Sequence, residues 1–392
     1  MMKFKEDGIG VSDLMKLIPD DLLLDLAAET KVDYQVKKLY GRNIFNLLLY
    51  GLLNGERVGL RSLEDFYNSK KFKVLFKLPG TKSAKYNSLS ARLAKMNVRF
   101  FEMAFEEIYE QCSLLYDAST LSSQYKITRV DSTMVCETAS KLEQGIQVGK
   151  KKNGKKQVKY TIGLTDMFPS SVETFTEQVC ISENLTIPKV ILKVIDKSKD
   201  NVFVFDRGVF SREVFCDLDK NECSFVTRLH VNARHVVLDD IDTRQGLVVS
   251  NLTILRDQRV NLYRLSHEVV KHPFRLVQAL SAQGKEYWFL TNRFDLTCQE
   301  IILIYKKRWD IEVFFRFIKQ ELNFKHLISV NENGIKILLY MTLILAMLIL
   351  IYKKINDFGY KTAKRRFAIE LGDIIDDILI VYCGGDPDTP FW

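Results

Sequence analysis

A run of 16 uncharged, mainly apolar residues near the end of the chain sets the first limit on its fold. It covers residues 337–352 (ILLYMTLILAMLILIY) and lies between Lys336 and Lys353. A helix that crosses a bilayer needs about 20 such residues. We therefore expect this run to form a helix buried in a large protein core. A membrane protein built around the helix is the alternative.

Composition agrees with a core of that size. The chain has 392 residues, enough for two or three domains, and 47% of them are hydrophobic. The net charge of +8 favours a polyanionic partner, although weakly. Seven cysteines without a Cys-x-x-Cys pair indicate free thiols in a reducing compartment. The first 15 residues contain no continuous apolar run, so we expect no secretory signal and a cytoplasmic protein.

The first part of the chain, residues 1–120, has apolar residues at helical spacing and a basic stretch from Lys70 to Lys95. A short helix from about Ser88 to Lys95 would present Arg92 and Lys95 to its surroundings. This region is predicted to be a helical DNA-binding domain; a solvated helical face explains the same pattern equally well.

From Lys126 the pattern becomes that of β-strands. Strands are predicted at 127–135, 157–164 and 171–179, and a buried strand at 201–205. Asn153-Gly154 suits a tight hairpin turn. Lysines surround this turn and include Lys159, so the hairpin tip is expected to contact phosphate, unless the lysines only aid solubility.

The rest of the chain divides at three points. Residues 224–294 are predicted to be a β-rich insertion, which splits a catalytic domain into parts at 121–223 and 295–350. Residues 351–392 are expected to be a helical C-terminal region. Thr297 and Glu300 form a capping box that begins one long helix running to about Leu322.

Four polar residues form one stripe on that helix. Tyr305, Arg308, Glu312 and Lys319 fall within a sector roughly 60° wide at about 100° per residue. The stripe borders the apolar face, which favours a site at the edge of a core. The simpler explanation is an Arg308–Glu312 ion pair, common on any helix.

Two aspartates complete a set of three carboxylates. Asp131 lies inside the strand predicted at 127–135. Asp206 comes directly after the apolar strand predicted at 201–205. If both met Glu312, the three negative charges would repel one another unless divalent cations held them together. Oxygen-only ligation favours Mg²⁺ or Mn²⁺ over zinc.

These motifs resemble those of the DDE transposases of bacterial insertion sequences, in the group with a Tyr-Arg-Glu-Lys signature (insertion-sequence family four). The signature spacing Tyr-x2-Arg-x3-Glu-x6-Lys is matched in full from Tyr305 to Lys319. The family's first aspartate occurs as Asp-x-Thr, as at 131–133, and its second as Asp-Arg-Gly, as at 206–208. A β-rich insertion between the second aspartate and the glutamate is also typical.

The resemblance implies an α/β, ribonuclease-H-like fold: a mixed sheet flanked by helices and interrupted by the insertion, with a helical N-terminal domain. It implies that Asp131, Asp206 and Glu312 are catalytic and bind two Mg²⁺ ions, for which Mn²⁺ can substitute. Tyr305, Arg308 and Lys319 would hold DNA phosphates near the cut end.

The resemblance also predicts partners. These are double-stranded DNA, as terminal inverted repeats and target, and a second copy of the chain in a synaptic complex. Cut-and-paste transposition through a DNA hairpin is expected, with Trp288 stacking on a flipped base; core packing of Trp288 is the alternative.

Three other functions stay open. A metal-dependent nuclease or resolvase of the same fold would share the carboxylates but not the Tyr-Arg-Glu-Lys signature. A non-catalytic DNA-binding protein derived from a transposase would not need all three carboxylates. The third is the membrane protein considered above.

Overall fold

A computed structural model describes most of the chain: residues 8–55, 57–76, 78, 83–115, 125–138, 141–142, 144–148, 155–194, 200–242, 246–264 and 266–387. The chain forms two compact units. The helical unit comprises Met1–Asp117, Val135–Lys156 and Arg316–Trp392, and the sheet unit comprises Ala118–Met134 and Gln157–Phe315. The predicted turn at Asn153-Gly154 lies outside the described residues.

The helical unit contains both ends of the described chain. Its helices are α1 (Val11–Met15), α2 (Asp20–Thr30), α3 (Gly41–Asn54), α4 (Leu60–Asn68), α5 (Lys70–Leu75), α6 (Tyr86–Lys95), α7 (Arg99–Leu115), α12 (Glu332–Ile355) and α13 (Tyr360–Tyr382). It also contains the short strand β2 (Ile146–Val148). The helical character expected for the first 120 residues is confirmed for those the structure describes.

The apolar run forms the centre of this unit. Every residue of 337–352 except Tyr340 is buried, and α12 packs against α3, α6, α7 and α13. By length and composition α12 could cross a membrane, but 89% of its most apolar stretch is buried inside the protein. The expectation of a buried core helix is therefore confirmed.

One cation of the basic N-terminal stretch faces inward. The guanidinium of Arg92 donates to the backbone oxygens of Leu39 and Val32 and pairs with Asp33 at 3.3 Å. Its side chain is only 14% exposed. The expectation that α6 presents Arg92 is therefore wrong, because three partners in one distant segment, residues 32–39, hold it. Lys95 on the same helix is exposed.

The sheet unit is built on a mixed sheet. Its first strands are β1 (Lys126–Thr138), β3 (Lys155–Thr165), β4 (Phe168–Phe175), β5 (Asn201–Val204) and β6 (Ser224–Leu229). They lie in the order β4-β3-β1-β5-β6: β4 is antiparallel to β3, β1 and β5 are parallel, and β5 and β6 are parallel. This is the ribonuclease-H-like arrangement, so the expected fold class is confirmed.

Helices cover both faces of the sheet. They are α8 (Glu183–Lys193), α9 (Arg212–Lys220) and α10 (Cys298–Lys306), and α11 (Trp309–Glu321) follows α10 in the chain. Side chains of β5 alternate between the faces: Phe203 packs in a cluster with α8 and α9, and Val202 and Val204 pack in a cluster with α10. Successive side chains of a strand point to opposite faces of the sheet. Both sets are apolar in β5 because helices cover both faces.

The β-rich segment extends this same sheet. Its strands after β6 are β7 (His235–Asp242), β8 (Val248–Val249), β9 (Leu252–Tyr263), β10 (Val269–Ser281) and β11 (Glu286–Thr291). Strand β11 pairs antiparallel with β6, and the order continues through β10 and β9 to β7. The division of the chain into functional domains stays a prediction.

Candidate active site

Asp131 and Asp206 lie on adjacent parallel strands. Paired residues on β1 and β5 differ by 75 in number, as Arg129 and Val204 do. Asp131 and Asp206 differ by the same 75, so the register carries them to the same level of the sheet. Asp131 lies within β1, and Asp206 comes just after β5 ends. The separation of 75 residues between the two aspartates therefore equals the separation between paired residues of β1 and β5.

Glu312 joins the aspartates through Arg308. The Nη2 atom of Arg308 lies 2.6 Å from Glu312 Oε1, and its Nη1 atom lies 3.8 Å from Asp131 Oδ2. The Arg308 side chain is 14% exposed, and its Nε atom is buried without a hydrogen bond to any described group. One guanidinium thus bridges two of the three carboxylates.

Tyr305 reaches the third carboxylate. Its hydroxyl donates to Asp206 Oδ1 at 3.3 Å, and its ring packs edge-on against Phe289. The Arg308 guanidinium lies 5.9 Å from the centroid of the same ring. Three of the four signature residues therefore contact the predicted catalytic aspartates or each other.

The single long helix predicted from Thr297 to Leu322 is wrong. The capping box begins α10 as expected, but α10 ends at Lys306 and α11 begins at Trp309. At the break, backbone N–H groups bond three residues back instead of four. The buried Arg129 of β1 donates to the Lys307 carbonyl and pairs with Asp310 at 2.8 Å. This distant cation holds the break, which no proline or glycine marks in the sequence.

Burial dominates the electrostatics of the site. It raises the pKa of Asp131 to about 6, and the nearby Glu183 and Asp206 add to the increase, while the Ser132 N–H and Arg308 oppose it. Burial and the charge of Asp206 raise the pKa of Tyr305 to about 12. Asp131 thus carries a negative charge that the metal-free site compensates only in part.

Lys319, the last residue of the signature, lies on α11 two turns after Glu312 and belongs to the helical unit. It is partly exposed, and burial lowers its pKa. The proposed contact between Lys319 and phosphate stays a prediction.

Trp288 lies on β11 and is partly buried. It packs against the cluster that includes Phe203, makes an edge-on contact with His235, and donates its indole N–H to Glu286 at 3.2 Å. The packing suggested as an alternative is therefore present. Stacking on a flipped base stays a prediction.

Lys159 does not lie on an exposed tip. Its side chain is 0% exposed, and its Nζ atom lies 2.9 Å from Glu183 Oε1. The expected phosphate contact is incompatible with this placement, because a fully buried and paired ammonium cannot reach DNA. The partner, Glu183, is a residue that the sequence analysis missed. It begins α8, and no local pattern separates it from other acidic residues in first turns of helices.

The carboxylates fit a divalent cation by their chemistry. Asp131, Asp206 and Glu312 offer only oxygen donors, as Mg²⁺ and Mn²⁺ prefer. Among the described side chains, however, no three metal-ligating groups are close enough to hold an ion as they stand. The Arg308 guanidinium pairs with Glu312 and lies near Asp131.

A basic cavity begins one residue after Asp206. It has a volume of about 710 Å³, and its wall includes Phe210, which is 46% exposed. Five arginines line it: Arg207, Arg212, Arg228, Arg234 and Arg264. Glu213 and Glu268 neutralise Arg264, whereas Arg207 has no acidic partner in the described part of the chain. Such a wall attracts phosphate groups.

Comparison with known families decides the classification. Residues 122–348, more than half of the chain, match the family model described as the transposase DDE domain. The chain belongs to the DDE transposase family. All three predicted catalytic carboxylates and the complete Tyr-Arg-Glu-Lys signature lie inside this DDE domain.

Relatives named as transposases match part of this chain. A Sinorhizobium fredii protein, transposase y4zB, is 27% identical over 156 residues, 39% of this chain and 43% of that protein. A Synechocystis protein, named as the transposase for insertion sequence element IS4SA, is 32% identical over 166 residues, 40% of this chain and 43% of that protein. The chain thus spans less than half the length of these relatives.

A solved structure shares the fold. It is a cryo-EM structure of the piggyBac transposase synaptic complex with hairpin DNA, with a TM-score of 0.51 and 9% sequence identity. The match covers 98% of this chain and 83% of that chain. At this identity the likeness shows that the DDE domain has the fold of a known transposase.

Proposed function

We propose that this DDE-family protein is a DNA transposase that cuts and joins the ends of an insertion sequence. One observation carries the proposal: adjacent parallel strands bring Asp131 and Asp206 to one level, and Arg308 links Asp131 to Glu312. Members of the family generally use divalent metal ions. We assign two Mg²⁺ ions, replaceable by Mn²⁺, to these three carboxylates.

When bound, the cations supply Lewis acidity, which favours attack of an oxygen on the DNA phosphodiester and departure of the 3′ oxygen. The protein's own residues bind and orient the DNA. Arg308 exchanges Glu312 for a DNA phosphate, which a guanidinium can grip with two parallel hydrogen bonds. Tyr305 and Lys319 bind neighbouring phosphates, so that the freed 3′-OH is held for the joining step.

The DNA partners proposed are the terminal inverted repeats and the target. The five-arginine cavity beside Asp206 supports this assignment, because phosphate binding requires cations close to the cut site. We further propose cut-and-paste transposition through a hairpin, with Trp288 stacking on a flipped base. Two copies of the chain would pair two DNA ends in the cytoplasm of a bacterium.

The first test substitutes the carboxylates. Asp131→Asn, Asp206→Asn and Glu312→Gln should each lower cleavage of the cognate DNA end by at least about 100-fold. End binding should change little, because these residues hold cations and do not grip DNA. Gel assays of cleavage and binding with Mg²⁺ measure both quantities.

The control is Asp373→Asn, an exposed position on α13. Wild-type cleavage by any one carboxylate variant would remove that residue from the proposed centre. Cleavage of all DNA without preference for the end would favour a nuclease or resolvase. End binding by a wild-type chain that never cleaves would favour a non-catalytic DNA-binding protein.

A further inference from the structure

Glu183 is a half-buried carboxylate that joins several parts of the site. It begins α8, with its side chain 29% exposed. Its Oε1 atom lies 2.9 Å from Lys159 Nζ, and its Oε2 atom accepts a hydrogen bond from Ser132 Oγ at 2.8 Å. Thr186 donates to the same Oε2 at 3.3 Å. Both oxygens therefore have partners within the protein.

The ion pair between Lys159 and Glu183 lies inside the sheet unit. Lys159 lies in the middle of β3 with no exposed surface, and it also donates to the Ile181 carbonyl at 3.0 Å. An ammonium buried without a partner would destabilise the fold strongly. The sheet thus keeps a charged pair where an apolar side chain would pack at lower cost.

This pair is connected to Asp131 through Ser132. The hydroxyl of Ser132 is held by Glu183, and the backbone N–H of Ser132 donates to Asp131 Oδ1 at 2.7 Å. Thr161 on β3 shares a hydrogen bond of 2.9 Å with the same hydroxyl. Glu183 therefore acts on the orientation of the Asp131 carboxylate through one intervening residue.

The start of α8 also contacts the Asp-Arg-Gly motif. A Cβ atom on Gly208 would come within 3.0 Å of Glu183 Cγ, so glycine allows this close approach. The Oδ1 atom of the next residue, Asn184, accepts from the backbone N–H groups of Phe210 and Ser211 at 2.8 and 2.9 Å. Glu183 and Asn184 thus hold the segments that carry both aspartates.

We propose that Lys159, Glu183 and Ser132 form a positioning network that sets Asp131 to bind a divalent cation. The proposal rests on the proposed function, which assigns the cation to Asp131. We assign Glu183 as a positioning residue, because its two oxygens hold Lys159 and Ser132, and the test below distinguishes this role from that of a ligand. Partners that orient a ligand in this way commonly change metal affinity by 10- to 100-fold.

The test measures Mn²⁺ binding by isothermal titration calorimetry, together with urea unfolding in EDTA. Glu183→Gln should weaken Mn²⁺ binding by about 10- to 100-fold. It also leaves Lys159 without a charged partner, so the fold should lose stability. The double variant Lys159→Met/Glu183→Gln removes both charges and should regain stability, yet bind Mn²⁺ as weakly as the single variant.

Two controls frame the result. Glu173→Gln breaks another ion pair of the sheet unit, with Lys193, and should leave Mn²⁺ affinity unchanged. Asp131→Asn sets the level expected for loss of a direct ligand. Wild-type Mn²⁺ affinity in the stable double variant would overturn the network. Loss as complete as in Asp131→Asn would also overturn it, because Glu183 would then be a ligand.

The experiment separates failure of this inference from failure of the proposed function. A wild-type protein that binds no Mn²⁺, either alone or with a duplex of the terminal repeat, contradicts both, since no cation site exists to be positioned. If Asp131→Asn abolishes Mn²⁺ binding while the Glu183 variants bind Mn²⁺ as the wild type does, only the positioning network is contradicted.

Discussion

At the scale of single residues, Arg308 and Asp131 show how the site manages its negative charge. The guanidinium of Arg308 lies 2.6 Å from Glu312 and 3.8 Å from Asp131. It supplies the positive charge that a bound metal cation would otherwise supply. Asp131 is compensated less completely, and burial raises its pKa to about 6. Ionised Asp131 therefore weakens the metal-free fold.

This charge gives a pH-dependent prediction. Asp131→Asn should stabilise the metal-free protein above about pH 6 and have little effect near pH 4. The pKa is raised from 3.8 to about 6 on folding, so the folded state binds this proton more tightly than the unfolded chain. The penalty for ionisation grows between those two values as pH rises and reaches about 3 kcal/mol at most.

Urea unfolding in EDTA, with variant and wild type compared at each pH, measures the difference. Asp373→Asn on the exposed surface of α13 controls for the loss of one negative charge. A constant difference between wild type and Asp131→Asn across this range would show that Asp131 ionises normally in the folded protein.

At the scale of elements, the break between α10 and α11 decides where the signature residues point. Tyr305, at the end of α10, reaches Asp206, and Arg308, at the break, reaches Asp131 and Glu312. A continuous helix would have aligned them in one stripe, as the spacing predicted. Arg129 on β1 holds the break through Lys307 and Asp310, so a strand residue determines the geometry of the helices.

A prediction about reaction steps follows from this arrangement. Arg308→Ala and Lys319→Ala should each reduce strand joining or hairpin formation by about 100-fold and first-strand nicking much less. A free 3′-OH must be held in line for its second attack, and small misplacements of a reacting group cost rate factors of that size. Nicking on an intact end and joining on a pre-nicked end are measured separately.

Arg316→Ala provides the control, because Arg316 lies on α11 but is exposed. Equal losses of nicking and joining in the Arg308 variant would mean that its pair with Glu312 only stabilises the fold.

At the scale of the whole molecule, the two ends of the chain share one unit. Helices α3, α6 and α7 pack on α12, which comes from the other end of the sequence. Residues 1–120 alone would expose the surface that α12 covers. DNA binding by the N-terminal region should therefore be measured in the full chain.

Salt dependence tests that binding. Affinity for the terminal repeat should fall steeply as salt rises, and the double variant Lys70→Ala/Lys95→Ala should show a flatter dependence. Both lysines are exposed in the basic N-terminal stretch. Each phosphate contact contributes about 0.9 to the slope of log K against log salt, so the slope should fall by about two.

The matched control is Lys16→Ala, an exposed lysine of the same unit that pairs with Asp13. An unchanged slope in the Lys70/Lys95 variant, or an equal change in the control, would place the DNA contact elsewhere.

Local patterns in the sequence were enough to predict much of this protein. The apolar run predicted the buried helix α12, because its length falls short of a membrane span and it carries no charge. A β-like run predicted the strand that carries Asp131, and a short apolar run predicted the strand that ends just before Asp206. The capping box predicted the start of α10, since its hydrogen bonds join residues only three apart. The motif spacings indicated the DDE family, and the comparisons confirm it.

Only the tertiary structure decided which polar groups meet. Lys159 was expected in solvent, yet the sheet buries it against Glu183, which lies 24 positions later in the chain. Arg129 holds the break between α10 and α11, although no proline or glycine in that segment marks it. These outcomes depend on pairs of charges that are far apart in the chain and are driven together by burial, where an unpaired charge is costly. Hydrophobic periodicity reports which side of an element is buried, but not which distant side chain will satisfy a buried charge.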